Sequence, residues 1–349
     1  MHGIIMAGGE GTRLRPLTLT KPKPMVTLLG RPVIDFVAHC LAKAGVDELV
    51  VTTGYRGEQL ESHVQDWNSV FSIPSRVNQE SSPMGTAGSV RLLKNELHET
   101  CIVGSGDSVA SYDLTPLLEA HRLNQAKVTM ALWEVNDPSQ YGIVGLSARH
   151  QGTLTEGLDE GFIARFAEKP KREDAFSNLI NAGLYIIEPE VFEHIPENTK
   201  FDFSKELFPL LLDMGWPLYA KKIEGMWFDV GHPQELLNAQ RALLQHQHFL
   251  PFSLQLEDNN EANSSQHTTA LFHQSDSFVG EDCVIGDETS LKNSYVMKGS
   301  TLGSQCVLQS SIVGESCTIG DGTQLINCIL GDGVSISPGS HLENERIPK

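Results

Sequence analysis

Hydrophobic and polar positions divide the chain into stretches with different patterns. From residue 1 to about 245, short apolar runs alternate with segments whose apolar residues recur at helical spacing. ELVVTT (48–53) and TCIVGSGD (100–107) are typical of buried strands. The spacing predicts helices over 34–44 and 114–123. Such alternation predicts a largely parallel, mixed sheet with helices on both faces, whose ligands bind beyond the C-terminal ends of the strands.

Residues 246–276 form a polar, weakly periodic stretch that is rich in Gln, Asn, Ser and His. This composition predicts a linker between two domains. Its histidines show no spacing typical of metal ligands, so we interpret them as solvated side chains; they are His246, His248, His267 and His273.

The segment 277–349 repeats with a period of 17 residues. Within each repeat an aliphatic residue recurs at steps of six, six and five: Val279, Ile285, Leu291, Val296, Leu302, Leu308, Val313, Ile319, Leu325 and Leu330. A small residue often follows four positions later, as at Cys283, Thr289, Ser300, Cys306, Cys317 and Thr323. A fixed period predicts a solenoid, here a triangular coil of about four turns whose aliphatic corners point inward and stack.

Composition and charge limit the classes of function. A net charge of −18 and a pI of about 5.1 disfavour binding to nucleic acid or to an anionic membrane. No apolar run is long enough to span a membrane and no secretory leader is recognisable, so a cytoplasmic protein is expected. The six cysteines form no C-x-x-C pair, and we expect them to be small buried hydrophobes rather than disulfides or zinc ligands.

The start of the chain carries the strongest chemical signal. An apolar strand, GIIMA (3–7), leads into GGEG (8–11), where bare backbone N–H groups can surround phosphate oxygens. Arg13 and Lys23 add the positive charge that a triphosphate needs. The glycine spacing matches neither the P-loop nor the dinucleotide-binding fingerprint.

GGEGTRLRPLTLTKPKPM (8–25) resembles the signature of the sugar-nucleotide pyrophosphorylases, which join a nucleoside triphosphate to a sugar 1-phosphate. By pattern the nearest subgroup is mannose-1-phosphate guanylyltransferase. The resemblance implies a Rossmann-like nucleotidyltransferase domain over 1–245, the linker over 246–276, and a left-handed β-helix over 277–349. Because such β-helices often mediate assembly in this family, a homo-oligomer is expected.

Nucleotidyl transfer needs positioning and electrostatic stabilisation more than covalent work by the protein. The resemblance implies Mg²⁺, with Asp107 in GSGDS and Asp229 in WFDVGHP as ligands, since Mg²⁺ takes one or two carboxylates plus phosphate oxygens and water. Taken alone, each aspartate is equally well explained as a turn or cap carboxylate. The implied catalytic residues are Arg13, Lys23, Asp107 and Lys169. The implied nucleotide-binding residues are Ala7, Gly8, Gly9, Gly11, Thr12, Arg13, Lys23, Glu80, Gly85 and Thr86.

ESSPMGTAG (80–88) resembles the loop that reads the base in this family, where the position of Glu80 is often Gln in thymidylyl- and uridylyltransferases. Guanine presents two adjacent donors, which a single carboxylate can accept together. Uracil and thymine present one donor between two acceptors, which a carboxylate would partly repel. Glu80 therefore predicts GTP, and the alternative interpretation is a plain loop carboxylate near a helix N-terminus.

Three further short motifs occur in the family's order and imply the sugar-phosphate site: Tyr141, Gly142, Glu168, Lys169, Asn181 and Gly183. In that resemblance Lys169 binds the phosphate, while Glu168 and Asn181 hydrogen-bond sugar hydroxyls. Each motif is weak by itself. DFSKE (202–206) is interpreted as a capped helix start, and the tryptophans as packing groups, with Trp227 near enough to Asp229 to line the site.

The predicted reaction is GTP + mannose 1-phosphate → GDP-mannose + pyrophosphate. A glucose-1-phosphate uridylyl- or thymidylyltransferase is the near alternative. A non-catalytic regulatory subunit that binds sugar nucleotide is the alternative from another class. Acyltransferase chemistry in the solenoid is disfavoured, because His341 is its only histidine.

Overall fold

The computed structural model describes residues 1–54, 57–252, 256–257, 267–268, 271–274 and 276–349. The remainder of the predicted linker, and the side chains of His267 and His273, lie outside the described part of the chain. The described chain forms two compact units: Met1–Gly9 with Val37–Trp227, and Glu10–Phe36 with Phe228–Lys349. We call the first the sheet unit and the second the β-helix unit.

The described residues up to 252 contain thirteen strands. They are β1 (His2–Met6), β2 (Thr27–Leu28), β3 (Arg31–Pro32), β4 (Glu48–Thr53), β5 (Ser75–Gln79), β6 (Cys101–Ser105), β7 (Ser108–Tyr112), β8 (Val128–Glu134), β9 (Gly142–Ser147), β10 (Glu160–Glu168), β11 (Leu179–Ile187), β12 (Leu218–Lys222) and β13 (Gly225–Asp229). The α-helices are α1 (Val33–Lys43), α2 (Gly57–Val70), α3 (Gly85–Arg91), α4 (Thr115–Leu123), α5 (Phe208–Asp213) and α6 (Pro233–Gln245). The predicted strands at 48–53 and 100–107 and the predicted helices at 34–44 and 114–123 are confirmed to within a few residues.

The sheet unit is built on nine strands in the order β5-β4-β1-β6-β11-β8-β12-β10-β9. The first four are parallel, as the alternation of strands and helices predicts. Strand β11 then runs antiparallel to both β6 and β8, and β10 runs antiparallel to both β12 and β9. The result is a mixed sheet whose parallel half ends in four loops on one edge.

The core of the sheet unit lies between this sheet and its helices. Ile4, Val50 and Val103, from three adjacent parallel strands, are fully buried in it. Tyr185 of β11 and Phe208 of α5 join the same cluster, with ring centroids 4.9 Å apart. Continuous apolar runs in these strands follow from burial on both faces of the sheet.

The β-helix unit contains the remaining strands: β14 (Leu256–Glu257), β15 (His267–Thr268), β16 (Leu271–Gln274), β17 (Ser277–Val279), β18 (Cys283–Ile285), β19 (Ser290–Lys292), β20 (Tyr295–Val296), β21 (Thr301–Leu302), β22 (Val307–Gln309), β23 (Ile312–Val313), β24 (Thr318–Ile319), β25 (Gln324–Ile326), β26 (Ile329–Leu330), β27 (Ser335–Ile336), β28 (His341–Glu343) and β29 (Arg346–Ile347). From β17 onward they form three sheets in which each strand pairs in parallel with the strand 17 residues later. This stacking matches the predicted left-handed β-helix.

The predicted corner residues fill the interior of the solenoid. Leu291, Leu308 and Leu325 stack in register and are buried. The small positions are also internal, since Cys283, Cys306 and Cys317 are buried with them, together with Cys328. All six cysteines of the chain are buried and free, which confirms their interpretation as small hydrophobes.

Candidate active site

The loops after the parallel strands are tied together by backbone hydrogen bonds. Ala7 donates its N–H to the carbonyl of Thr52 (2.8 Å), and Glu80 donates to Thr53 (2.8 Å). Gly106 donates to the carbonyl of Met6 at 2.9 Å. The predicted glycine loop, Glu80 and the Gly106–Asp107 turn therefore share one edge of the sheet unit.

Glu80 lies beside the glycine loop. One carboxylate oxygen, Oε2, accepts the Met84 N–H at 2.8 Å, and a Cβ placed on Gly8 would lie 3.5 Å from the other oxygen, Oε1. Burial raises the pKa of this carboxyl, while the hydrogen bond from Met84 opposes the shift. Glu80 thus stabilises its own loop through Oε2, while its Oε1 lies next to Gly8. The two interpretations of Glu80, as a loop carboxylate and as the residue that reads the base, are therefore compatible.

Gly85 and Thr86 dock the following segment onto this loop. Gly85 has φ +74°, and a Cβ there would lie 2.6 Å from the Phe201 carbonyl oxygen, so only glycine fits. The Thr86 hydroxyl donates to Asp202 Oδ2 at 2.8 Å and accepts the Phe203 N–H at 2.9 Å. Their predicted contact with nucleotide stays a prediction, and the structure adds a positioning role that the sequence did not suggest.

Asp202 begins a short helical segment, as its sequence context predicts. Its Oδ1 accepts the backbone N–H groups of Ser204 (2.9 Å) and Lys205 (3.2 Å). The same carboxylate binds Thr86 through Oδ2, so one side chain joins the helix start to the base loop.

Two of the three predicted sugar-phosphate motifs meet through strand register. Glu168 at the end of β10 pairs with Gly142 at the start of β9, and Lys169 donates its N–H to the Tyr141 carbonyl at 2.9 Å. A Cβ on Gly142 would lie 2.8 Å from Glu168 Oε2, so the glycine makes room for the carboxylate. Burial raises the pKa of Glu168, and the neighbouring Lys169 opposes that shift.

Lys169 is the exposed member of this pair. Its side chain is 58% exposed, against 23% for Glu168, and Nζ lies 4.0 Å from Glu168 Oε1. The ammonium group can therefore reach a ligand, while the carboxylate is more buried.

Asn181 is fixed by three hydrogen bonds. Its Nδ2 donates to the Tyr185 hydroxyl (2.8 Å) and to Ser204 Oγ (3.1 Å), and its Oδ1 accepts the Gly183 N–H at 2.9 Å. Both amide hydrogens are thereby used within the protein, and Oδ1 retains a second lone pair that can accept a hydrogen bond. Trp227 is buried close by, with Nε1 donating to the Ala182 carbonyl at 2.8 Å.

Asp107 adjoins the Asn181–Gly183 turn through a serine that sequence analysis missed. Ser105 Oγ donates to Asp107 Oδ1 at 2.6 Å. Gly183 has φ +73°, and a Cβ there would lie 3.1 Å from the Ser105 Cβ. The position of Ser105, two residues before an aspartate at a strand end, is the one signal that could have identified it.

The β-helix unit contains the rest of the signature. Gly11 has φ +63°, and a Cβ there would lie 2.8 Å from the Cβ of Lys23. The Gly11 carbonyl accepts the Thr18 hydroxyl at 2.8 Å, and Thr12 begins a 3₁₀ turn, Thr12–Leu14. The buried Lys23 places Nζ 3.6 Å from Asp229 Oδ1.

Arg13 borders the same aspartate. A Cβ placed on Gly231 would lie 2.8 Å from Arg13 Nη2 and 3.0 Å from Asp229 Oδ1, so both groups face this glycine. The two predicted phosphate-binding cations therefore surround one predicted metal ligand.

The donor set fits a divalent ion of the hard, oxygen-seeking kind. Among the described residues no group of three or more His, Cys, Asp or Glu could hold a metal by itself. Asp107 and Asp229 instead offer single carboxylates, each fixed by neighbours within its own unit. Single carboxylates supplemented by phosphate oxygens are the usual Mg²⁺ arrangement.

The fold and these residues define a nucleotidyltransferase. The chain belongs to the Nucleotidyl transferase family, which it matches over residues 2–246, and residues 266–348 match the GMPPB C-terminal domain. Of the described residues, none forms a helix long and apolar enough to cross a membrane.

Curated proteins similar to this chain include mannose-1-phosphate guanylyltransferases. The chain is 30% identical over 313 residues to mannose-1-phosphate guanylyltransferase 1 of Arabidopsis thaliana, covering 88% of this chain and 81% of that protein. It is 36% identical over 241 residues to the mannose-1-phosphate guanyltransferase of Saccharomyces cerevisiae, covering 68% and 63%. Among solved structures, a UDP-glucose pyrophosphorylase complexed with UDP-glucose shares the fold with a TM-score of 0.59 at 22% identity, covering 70% of this chain and 98% of that one.

Proposed function

We propose that this nucleotidyltransferase transfers the guanylyl group of GTP to mannose 1-phosphate, giving GDP-mannose and pyrophosphate. The observation that carries the choice of base is Glu80, a carboxylate beside Gly8 with one oxygen directed at the glycine loop. The names of the relatives support both the base and the sugar.

In the proposed mechanism the protein mainly positions its substrates and offsets their charge. The backbone N–H groups of the 8–12 loop, Arg13 and Lys23 bind the β- and γ-phosphates. Gly9 suits this role, because a Cβ placed on it would meet no atom within 4 Å, so the space beside it is open. Removing one hydrogen-bond donor that stabilises developing negative charge in other enzymes typically costs about 10²–10³ in rate.

Lys169 is proposed to hold the phosphate of the sugar, whose oxygen attacks the α-phosphorus in line with the departing pyrophosphate. Glu168 and the second lone pair of Asn181 Oδ1 accept hydrogen bonds from hydroxyl groups of the sugar ring. Gly142 and Gly183 are proposed to let the backbone approach the sugar closely, in addition to making room for Glu168 and Ser105.

Mg²⁺ is the proposed cofactor, with Asp107 and Asp229 as its protein ligands. When bound, it neutralises charge that develops on the phosphates. The protein's own part is to fix each carboxylate: Ser105 orients Asp107, while Lys23 and Arg13 face Asp229. We further propose that the protein acts in the cytoplasm as a homo-oligomer assembled through the β-helix.

The test is pyrophosphate release by the purified chain with Mg²⁺ and single pairs of substrates. GTP with mannose 1-phosphate should give the highest turnover. Higher turnover with UTP or dTTP and glucose 1-phosphate would change the assignment of base and sugar but leave the class of reaction unchanged. Absence of turnover with every pair, together with measurable binding of GDP-mannose, would support a regulatory subunit instead.

A further inference from the structure

The signature segment is attached to the β-helix by side chains from successive coils. All of these contacts lie within the β-helix unit, because residues 10–36 cluster with 228–349 rather than with the sheet. The attached residues include the proposed phosphate-binding Arg13 itself, three residues between it and Lys23, and two residues after Lys23: Arg15, Thr20, Lys21, Thr27 and Gly30. The contacts are therefore placed to act on nucleotide binding.

The central attachment is an ion-pair network around Lys21. Lys21 Nζ contacts Glu315 Oε1 and lies 3.1 Å from Asp332 Oδ2, and the Thr20 hydroxyl donates to the same Asp332 oxygen. The Lys21 side chain is only 13% exposed and that of Asp332 16%. Shielded charge pairs are screened less by salt than surface pairs, so this network has more effect than an exposed pair.

Asp332 is also held rigidly within the solenoid. Its other oxygen, Oδ1, accepts the Glu315 backbone N–H at 2.8 Å, across a spacing of 17 residues. One oxygen of the carboxylate is thus fixed by the backbone of the preceding coil, while the other binds Lys21 and Thr20 of the signature segment.

A second attachment involves the last coil. Arg346 Nη1 donates to the carbonyls of Arg13 (3.0 Å) and Arg15 (3.3 Å). Its Nη2 lies 3.4 Å from Nε2 of His232, three residues after Asp229. Arg346 therefore touches both segments that contain the proposed phosphate and metal ligands of this unit.

A third attachment comes from the first complete coil. Tyr295 is buried, and its hydroxyl bonds Thr27 Oγ1 (2.8 Å) and accepts the Gly30 N–H at 3.3 Å. The register neighbours in the next coils are Ile312 and Ile329, which have no hydroxyl. Of these three coils, the one that contacts the β2–β3 hairpin is thus the one whose residue at this position has a hydroxyl group to bind it.

We propose that Asp332 and Glu315 are positioning residues for the proposed triphosphate site, acting through Lys21 on Lys23, with Arg346 as a second support. The β-helix then determines how well the protein binds nucleoside triphosphate, in addition to any role in assembly. The inference deepens the proposed function and rests on it.

The chain offers a matched control in Asp321, which lies earlier in the β-helix on a different side of the coil. Asp321 occupies the same Gly-Asp-Gly context, and its Oδ1 accepts the Ser304 N–H at 2.8 Å across the same 17-residue spacing. Asp321→Asn and Asp332→Asn therefore make the same local change. They differ in that Asp332 also holds Lys21 and Thr20.

The first measurement is hydrogen exchange of the peptide covering residues 10–25, followed by mass spectrometry, which needs no substrate. Asp332→Asn should speed exchange there about tenfold, since charged hydrogen bonds contribute most when shielded. Asp321→Asn should leave that peptide unchanged. Equal exchange in the two variants overturns the inference, whatever the enzyme's substrate.

The second measurement is steady-state kinetics with GTP. Asp332→Asn is expected to raise KM for GTP about tenfold with kcat changed far less, because the chemical groups remain. Lys21→Met should have the same effect, and the double variant should add little to it. An unchanged KM in an active protein contradicts the inference, whereas an inactive wild-type protein contradicts the proposed function and leaves the exchange result to decide the inference.

Discussion

The two units hold their candidate residues by different means. In the sheet unit, close backbone approach and hydrogen bonds hold them: Gly85 against Phe201, Gly142 against Glu168, and Asn181 bonded to Tyr185. In the β-helix unit, charge pairs predominate, as with Lys23 and Asp229. The sheet unit should therefore be sensitive to added volume, and the β-helix unit to removal of charge.

This difference suits the proposed ligands of each unit. Sugar hydroxyls and a nucleobase are distinguished by shape and by the placement of hydrogen-bond donors and acceptors, which a closely packed backbone can fix. A triphosphate is recognised by charge, which side chains of the signature segment provide. The sheet unit also contributes charged candidate residues: Glu80, Asp107, Glu168 and Lys169.

The largest expected effect comes from removing the charges in either unit. Asp107→Asn and Lys23→Ala should each lower the turnover number about 100-fold or more, because both groups act on developing phosphate charge. Pyrophosphate release measures this. Lys298→Ala, which removes an exposed lysine paired with Glu281 on the β-helix, is the control and should change turnover less than twofold. Near-normal turnover in Asp107→Asn or Lys23→Ala would show that the site is assigned wrongly.

The next effect tests the shape sensitivity of the sheet unit. Gly85 and Gly157 share φ +74°. A Cβ on Gly85 would lie 2.6 Å from the Phe201 carbonyl oxygen, whereas a Cβ on Gly157 would have no atom within 4 Å. Gly85→Ala should therefore lower the free energy of unfolding by about 1–3 kcal/mol more than Gly157→Ala, the added cost of overpacking. Urea unfolding of both variants measures the difference, and equal stabilities would mean that the loop yields freely.

A smaller effect should separate the bases. Glu80→Gln is expected to reduce kcat/KM for GTP about tenfold and to leave UTP unchanged or improved, because an amide cannot accept both guanine donors. The ratio of the two values is the measurement, since a merely damaged loop lowers both equally. A parallel loss for both nucleotides would assign Glu80 to bracing the Met84 loop alone.

The smallest effect concerns pH. Burial raises the pKa of Glu80, so this carboxyl takes up its proton at a higher pH than an exposed glutamate. Because the protonated form cannot accept both donors, KM for GTP should rise as pH falls through that raised pKa. Glu80→Gln should remove this component of the pH profile. A profile shared by both proteins would place the titrating group elsewhere.

The solenoid was the most predictable part of the molecule, since its period equals its strand register. Leu291, Leu308 and Leu325 could be placed on one another from spacing alone. The parallel half of the sheet was similarly accessible, because Gly8 and Asp107 each follow an apolar strand. In both cases the local pattern of the sequence determines which residues lie next to each other in the fold.

Contacts between distant segments could not be predicted. Strand β11 runs antiparallel next to β6, so Gly183 lies against Ser105, and no local pattern encodes that pairing. Thr86 binds Asp202 across 116 residues, and Lys21 binds Glu315 across 294. These contacts depend on how loops close in three dimensions, which residue spacing within each loop does not reveal.

The most direct test of the account is a competition with GTP, UTP, dTTP, ATP and CTP at equal concentration, together with mannose 1-phosphate and glucose 1-phosphate. Mass spectrometry of the products reports relative kcat/KM for every pair in one vessel. The account predicts that GDP-mannose predominates and that pyrophosphate appears in equal amount. Predominance of UDP-glucose or dTDP-glucose would contradict the assignment of base and sugar, and absence of any nucleotide sugar would contradict the assignment of activity.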